Sequence, residues 1–133
     1  MKKFILILSV FAFTTPLLAN ASPDEKPTQH LKLANVTSME DARKIFIDKT
    51  SEIKNYKKLD ATELHQIHMI TYTLEKSVAY FVENMKQEKQ ELAKKIAVIV
   101  EDIHINSENN RKNKIELHLA RYFKLADKII AKL

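Results

Sequence analysis

From residue 37 to the C-terminus, apolar residues recur every three or four positions in four long stretches separated by short polar breaks. That period is the signature of amphipathic helices with one buried face. The first stretch predicts a helix over residues 37–57. Thr37 and Glu40 have the spacing of a capping box, and Met39, Ala42, Phe46, Lys49, Ile53 and Tyr56 follow the rhythm with one polar interruption. The second stretch is the most regular. Asp60 and Glu63 suit reciprocal capping, Leu59 can staple onto Leu64, and Leu64, Ile67, Thr71, Leu74, Val78, Phe81 and Met85 alternate by three and four like a bundle seam.

The third stretch, residues 87–107, contains the β-branched run KKIAVIVEDIHI, which suits a strand by propensity. Leu92, Ile96, Ile99 and Ile103 keep helical spacing, however, and no second strand pattern exists to pair with it. A helix is therefore expected. Residues 107–110 (SENN) read as a turn and cap, and the last helix carries Ile115, His118, Tyr122, Leu125 and Ile129 on one face. Four helices with short connections predict an all-α fold, an antiparallel up-down-up-down four-helix bundle over residues 36–133.

The upstream pattern is different. Residues 22–35 hold two prolines, mixed charge and no periodicity, which reads as a flexible leader. Residues 1–21 place Lys2 and Lys3 before an apolar run and end in Ala19-Asn20-Ala21, a small-x-small cleavage site. The apolar run is short and soon meets Pro16, so a signal peptide is expected rather than a membrane anchor. Cleavage between Ala21 and Ser22 would deliver the chain to the periplasm of a Gram-negative bacterium, with no stretch in residues 22–133 able to span a bilayer.

Composition then prunes the chemistry. Among the 133 residues there is no Gly and no Cys. Without glycine there is no phosphate-cradling loop, dinucleotide fingerprint or nucleophile elbow. Without cysteine there is no thiol nucleophile, thiolate metal site, disulfide or covalent haem attachment. The formal charge of +5 includes Lys2 and Lys3; what remains after cleavage is too mild and mixed in sign to predict nucleic-acid binding.

The remaining chemistry lies in histidines and carboxylates. His65, His68, Tyr72 and Glu75 form a polar stripe beside the seam of the second helix. If helices two and three turn near residues 86–88, His68 and His104 differ by about 3 Å in height, at about 1.5 Å per residue. Glu75 and Glu101 lie one to two turns nearer the hairpin, and His118 falls near the level of Val100. Imidazoles and carboxylates suit zinc, copper, nickel or iron, so His68, His104, Glu75 and Glu101 are the candidate metal ligands, for zinc or copper first. Polar residues beside a seam also set helix register by bonding across the interface, which is the commoner role. Glu101-x-x-His104 matches half of a carboxylate-bridged di-iron pattern, but the second motif is missing. His118, on an apolar face, is expected to be a satisfied core histidine; His65 and His30 are expected to face solvent.

Haem of the periplasmic b-type cytochrome kind is not expected. Met39 is placed as its methionine ligand would be, but the C-terminal AKL offers no histidine, and His118 comes fifteen residues too early, about 22 Å along the axis. Arg121, Lys124, Lys128 and Lys132 form a basic stripe, expected to be a solvated face rather than a lipid-docking one.

HQIHMITYTLEKS, followed about thirty residues later by VEDIHINSE, resembles a family of small exported proteobacterial helical proteins of unknown function. The matching positions are His68, Thr71, Tyr72, Thr73, Leu74 and Glu75, then Val100, His104, Ser107 and Glu108. The resemblance implies one helical domain after a signal peptide and supplies no activity. It picks out the two histidines that the height of the helices pairs.

The expected function is a non-enzymatic periplasmic bundle that binds a partner protein or serves a structural role in the envelope. The alternative is a metal-binding protein using His68 and His104. An enzyme has least support, because no nucleophile with a positioned base can be assembled from these residues.

Overall fold

The computed structural model describes residues 33–133. The signal sequence, its cleavage site, His30 and most of the leader lie outside the described residues. Four helices follow in order: α1 Met39–Lys54, α2 Ala61–Asn84, α3 Gln87–Glu108 and α4 Lys112–Ile130. Each packs against its neighbour in sequence, most closely α2 against α3, and the described residues contain no strand. Contacts at both ends fix the antiparallel sense. Lys112 Nζ donates to the Lys58 carbonyl at 2.8 Å, joining the first and third connections. At the other end Lys132 Nζ lies 3.2 Å from Glu88.

The α2 seam is buried throughout, from Leu64 to Met85. Its start is the most elaborate cap in the chain. Asp60 Oδ1 accepts from Glu63 N at 3.0 Å, while Glu63 Oε2 accepts from both Lys58 N and Leu59 N at 2.8 Å. Leu59 adopts a left-handed φ of 50° and is buried beneath this cap. The glutamate thus reaches past the cap residue to the two amides before it.

Elsewhere the structure corrects the expected boundaries. α1 is capped by Ser38, not Thr37: Ser38 Oγ accepts from Asp41 N at 3.0 Å. Two cap-like spacings overlap by one residue here, and the extended backbone of Ser38 selects the second. α1 ends at Lys54, and its buried face is Ala42, Phe46, Thr50 and Ile53, with Thr50 inside where Lys49 was expected. Met39 remains exposed.

The run expected to be ambiguous in α3 is helix, and its inward face is Ala93, Ile96, Val100, Ile103 and Ser107. Leu92 and Ile99 flank that face rather than lie on it. Residues 107–110 hold the expected turn, at Asn109 and Asn110, and the cap they supply is Asn109 at the end of α3. α3 continues through Glu108, Ser107 Oγ donates back to the His104 carbonyl at 2.9 Å, and α4 begins at Lys112, its N-cap Arg111 making no side-chain cap bond. Asn110 takes the left-handed turn at φ 52°, which asparagine tolerates well. In α4, Leu119 and Ala126 join Ile115, Tyr122 and Ile129 in the core, while His118 and Leu125 move to the flank.

Two uncharged bonds tie the remaining faces together. Ser77 Oγ donates to the Ala42 carbonyl at 2.6 Å, joining α2 to α1. Thr50 and Tyr122 hydroxyls meet at 2.5 Å between α1 and α4. The Phe46 ring lies against both Phe81 and Tyr122, with centroids 5.5 and 6.1 Å away. Burial drives the Tyr122 phenol well above its ordinary range, and its bond to Thr50 only partly offsets this.

Candidate binding site

Helices α2 and α3 meet in the only layer of the described core that carries a histidine. His104 is fully buried. The hairpin turns at residues 85–86, slightly earlier than expected. His68 is therefore about level with Ile103, and its height differs from that of His104 by only about 1.5 Å. Their rings meet across the interface in a tilted arrangement, centroids 4.5 Å apart at 46°. Tyr72 closes the group edge-on, 5.1 Å from His68 and 4.8 Å from His104.

The hydrogen bonds around His104 assign its tautomer. Thr71 Oγ1 lies 2.5 Å from the His68 carbonyl, which can only accept, so the single hydroxyl proton of Thr71 is used there. Thr71 Oγ1 also lies 2.7 Å from His104 Nδ1. In that bond the hydroxyl must accept and Nδ1–H must donate. Glu75 Oε1, 3.6 Å from the same nitrogen, favours the proton there electrostatically. The neutral ring then presents its lone pair on Nε2.

Other groups in the layer are less completely paired. His68 Nδ1 and Glu108 Oε2 are both buried and meet no protein hydrogen-bond partner. Leaving such atoms unpaired costs about 1–3 kcal/mol each, more if charged. Both residues line one surface notch of about 270 Å³, together with Ala61, His65, Met69, Ser107 and Asn110. The Tyr72 phenol is held above its ordinary range, first by burial and then by the carboxylates of Glu108 and Glu75. A larger groove of about 630 Å³ runs between α3 and α4, but its Glu88 and Lys132 bridge each other, and it contains none of the unpaired buried groups.

Of the four candidate ligands, the structure brings His68, His104 and Glu75 together. Glu75 stands behind His104, on its Nδ1 side. Glu101 lies half-buried one turn before His104, whose described contacts run instead to α2. His118 is elsewhere: its Nδ1 is buried, makes no hydrogen bond, and sits 3.7 Å from Asp102 Oδ2. It is not the satisfied core histidine that was expected. His65 is exposed at the rim, its ring 6.4 Å from that of His68. Among the described residues no three His, Asp or Glu side chains stand close enough together to hold a metal ion as they are placed.

Two participants, both matching positions of the resemblance, were not named as site residues from sequence. Thr71 was read as a seam residue, and nothing in its spacing reveals where its proton goes. Glu108 carried a usable signal: it stands four residues after His104, on the same helix face.

No described helix is long and apolar enough to cross a membrane. A family model described as a family of unknown function, DUF6746, matches residues 1–131. No curated protein and no solved structure matches the chain.

Proposed function

The chain belongs to DUF6746, a family of unknown function, and we propose that it is a non-enzymatic periplasmic helical-bundle protein that acts by binding at the α2–α3 polar layer. The observation that carries this reading is the pair of buried, unpartnered atoms, His68 Nδ1 and Glu108 Oε2, on residues that line one notch. A bound group would supply the partners that the fold withholds. Catalysis has less support, because the best-oriented base, His104, is fully buried and its Nδ1 proton is engaged by Thr71. The periplasmic address rests on the pattern of residues 1–21 alone.

Native mass spectrometry of the untagged protein from a periplasmic extract tests this. The expected result is a species heavier than the chain of residues 22–133, whose extra mass is lost in a His68→Ala, Glu108→Gln variant. A bare, monomeric chain in every extract would contradict the reading, as would recovery of the protein only from the cytoplasm.

A second reading, a zinc- or copper-binding protein using His68 and His104, is favoured by one specific observation. His104 donates Nδ1–H to Thr71 with a carboxylate behind it, the arrangement by which proteins orient an imidazole so that Nε2 can ligate. The expected consequence is a rise in melting temperature on adding zinc, since a ligand that binds only the folded state stabilises it.

A further inference from the structure

We infer that the notch between α2 and α3 receives an alkylammonium or guanidinium group, the head of a lysine or arginine side chain or of a free amine. This rests on the reading of the layer as a binding site and names the chemical class that the notch takes. Glu108, which lines the notch, is the last residue of α3. At that end of a helix the carbonyls concentrate partial negative charge and a cation is favoured. α3 instead has no basic residue in its last turn and places a carboxylate there. One oxygen of that carboxylate, Oε2, is buried without a hydrogen-bond partner. The next lysine along the chain is used elsewhere, because Lys112 Nζ donates to the Lys58 carbonyl. Arg111 and Lys114 line a separate depression beyond the turn. Glu108 is half-buried, so its charge is poorly screened and attracts a cation in the notch with the side chains as they stand.

Other lining groups accept hydrogen bonds. Ser107 Oγ gives its one proton to the His104 carbonyl at 2.9 Å, so toward the notch it can only accept. His68 Nδ1, buried and unpartnered, accepts whenever the neutral ring carries its proton on Nε2. The Asn110 amide can accept as well. An ammonium has only donors, and so has a guanidinium, which makes either the complement of a carboxylate beside such groups. Met69, 39 % exposed on the same notch, offers apolar surface to the carbon stem. Ala61 brings the first turn of α2 to the notch, and a helix start favours anions. Asp60 already sets a carboxylate there as the cap, however. At about 270 Å³ the notch is smaller than the roughly 300–1,000 Å³ of sites that enclose a drug-sized ligand, and it suits one side chain or one small amine.

Proton–nitrogen correlation NMR of the ¹⁵N-labelled mature chain in physiological salt tests this. The probes are Nα-acetyl-lysine methylamide, its arginine counterpart and putrescine, with Nα-acetyl-norleucine methylamide and acetate as controls. The expected result is saturable shifts of the Met69, Ser107 and Glu108 amides with the cationic probes and not with the controls. Glu108→Gln should weaken that binding by roughly tenfold or more. Glu91→Gln, in the α3–α4 groove, should leave it unchanged. Tighter binding of the lysine or arginine probe than of putrescine identifies a partner's side chain as the source, and the reverse order a free amine. Melting temperature gives a second readout: without any probe, Glu108→Gln should be at least as stable as the wild type, because it removes a carboxylate from the negative end of α3. A marked loss of stability would make Glu108 a structural group and overturn the cation assignment. Shifts that follow norleucine or acetate equally, or no shift at the notch, would overturn it too. If the extra mass in native mass spectrometry nevertheless persists, binding at the layer stands without the cation; a bare chain as well overturns both.

Discussion

Between α1 and α4, Thr50 and Tyr122 share a 2.5 Å hydrogen bond behind Phe46 and Phe81. Between α2 and α3, His104 is as deeply buried, yet beside it lie the Glu75 carboxylate and a second imidazole, His68, which lines a surface notch with Glu108. The first pair is closed: two hydroxyls satisfy each other, and neither is ionised near neutral pH. The second is open, with His68 Nδ1 and Glu108 Oε2 unpartnered. A buried polar group that merely sets register is best fully satisfied, because a loose end costs more than the bond it replaces gains. The α1–α4 layer meets that standard and reads as structure; the α2–α3 layer does not, and that is what supports the proposed binding there.

The contrast breaks most visibly through stability. Phe46→Ala, at the centre of the closed layer, is expected to cost about 3–5 kcal/mol by chemical denaturation while leaving the zinc response of the surviving folded protein unchanged. A lost zinc response there would mean that the two layers are not separable. His104→Leu in the open layer is expected to cost less, about 1–3 kcal/mol, because Thr71 loses its imidazole partner but the volume is kept. That variant should show no thermal shift with zinc, and a wild-type shift in it would place the metal elsewhere.

Smaller effects sharpen the difference. Tyr122→Phe removes only the hydroxyl bond and should cost about 1 kcal/mol with no change in metal binding. At high pH both layers lose stability. The folded protein holds the Tyr122 and Tyr72 phenols protonated where the unfolded chain, with an ordinary value of 10.0, releases its protons. Their contribution is complete below about pH 10 and falls as pH rises through the folded values. Tyr72→Phe should flatten part of that alkaline decline, measured as the urea midpoint across the range.

The same contrast explains what the sequence disclosed. Apolar periodicity depends on which side chains face inward, so the α2 seam was legible residue by residue, and the β-branched run of α3 declared itself a helix. Boundaries were less legible wherever two local solutions compete, as with Thr37 and Ser38 at the start of α1. Thr50 escaped notice because a hydroxyl counts as polar until a partner 72 residues away makes it a core group. Hairpin geometry alone paired His68 with His104. It could not choose between Glu75 and Glu101, since that depends on which way each helix is rotated. Glu75 lies 3.6 Å from His104 Nδ1, and Glu108, rather than Glu101, lines the notch.

The account turns on the tautomer of His104. Long-range proton–nitrogen NMR of the ¹⁵N-histidine-labelled mature protein, without metal, reads it directly. The prediction is a protonated Nδ1 and an unprotonated Nε2 for His104, lost in Thr71→Val. A His104 ring protonated on Nε2 alone would contradict the bond to Thr71, close the site to zinc at that nitrogen, and return the α2–α3 layer to a purely structural role.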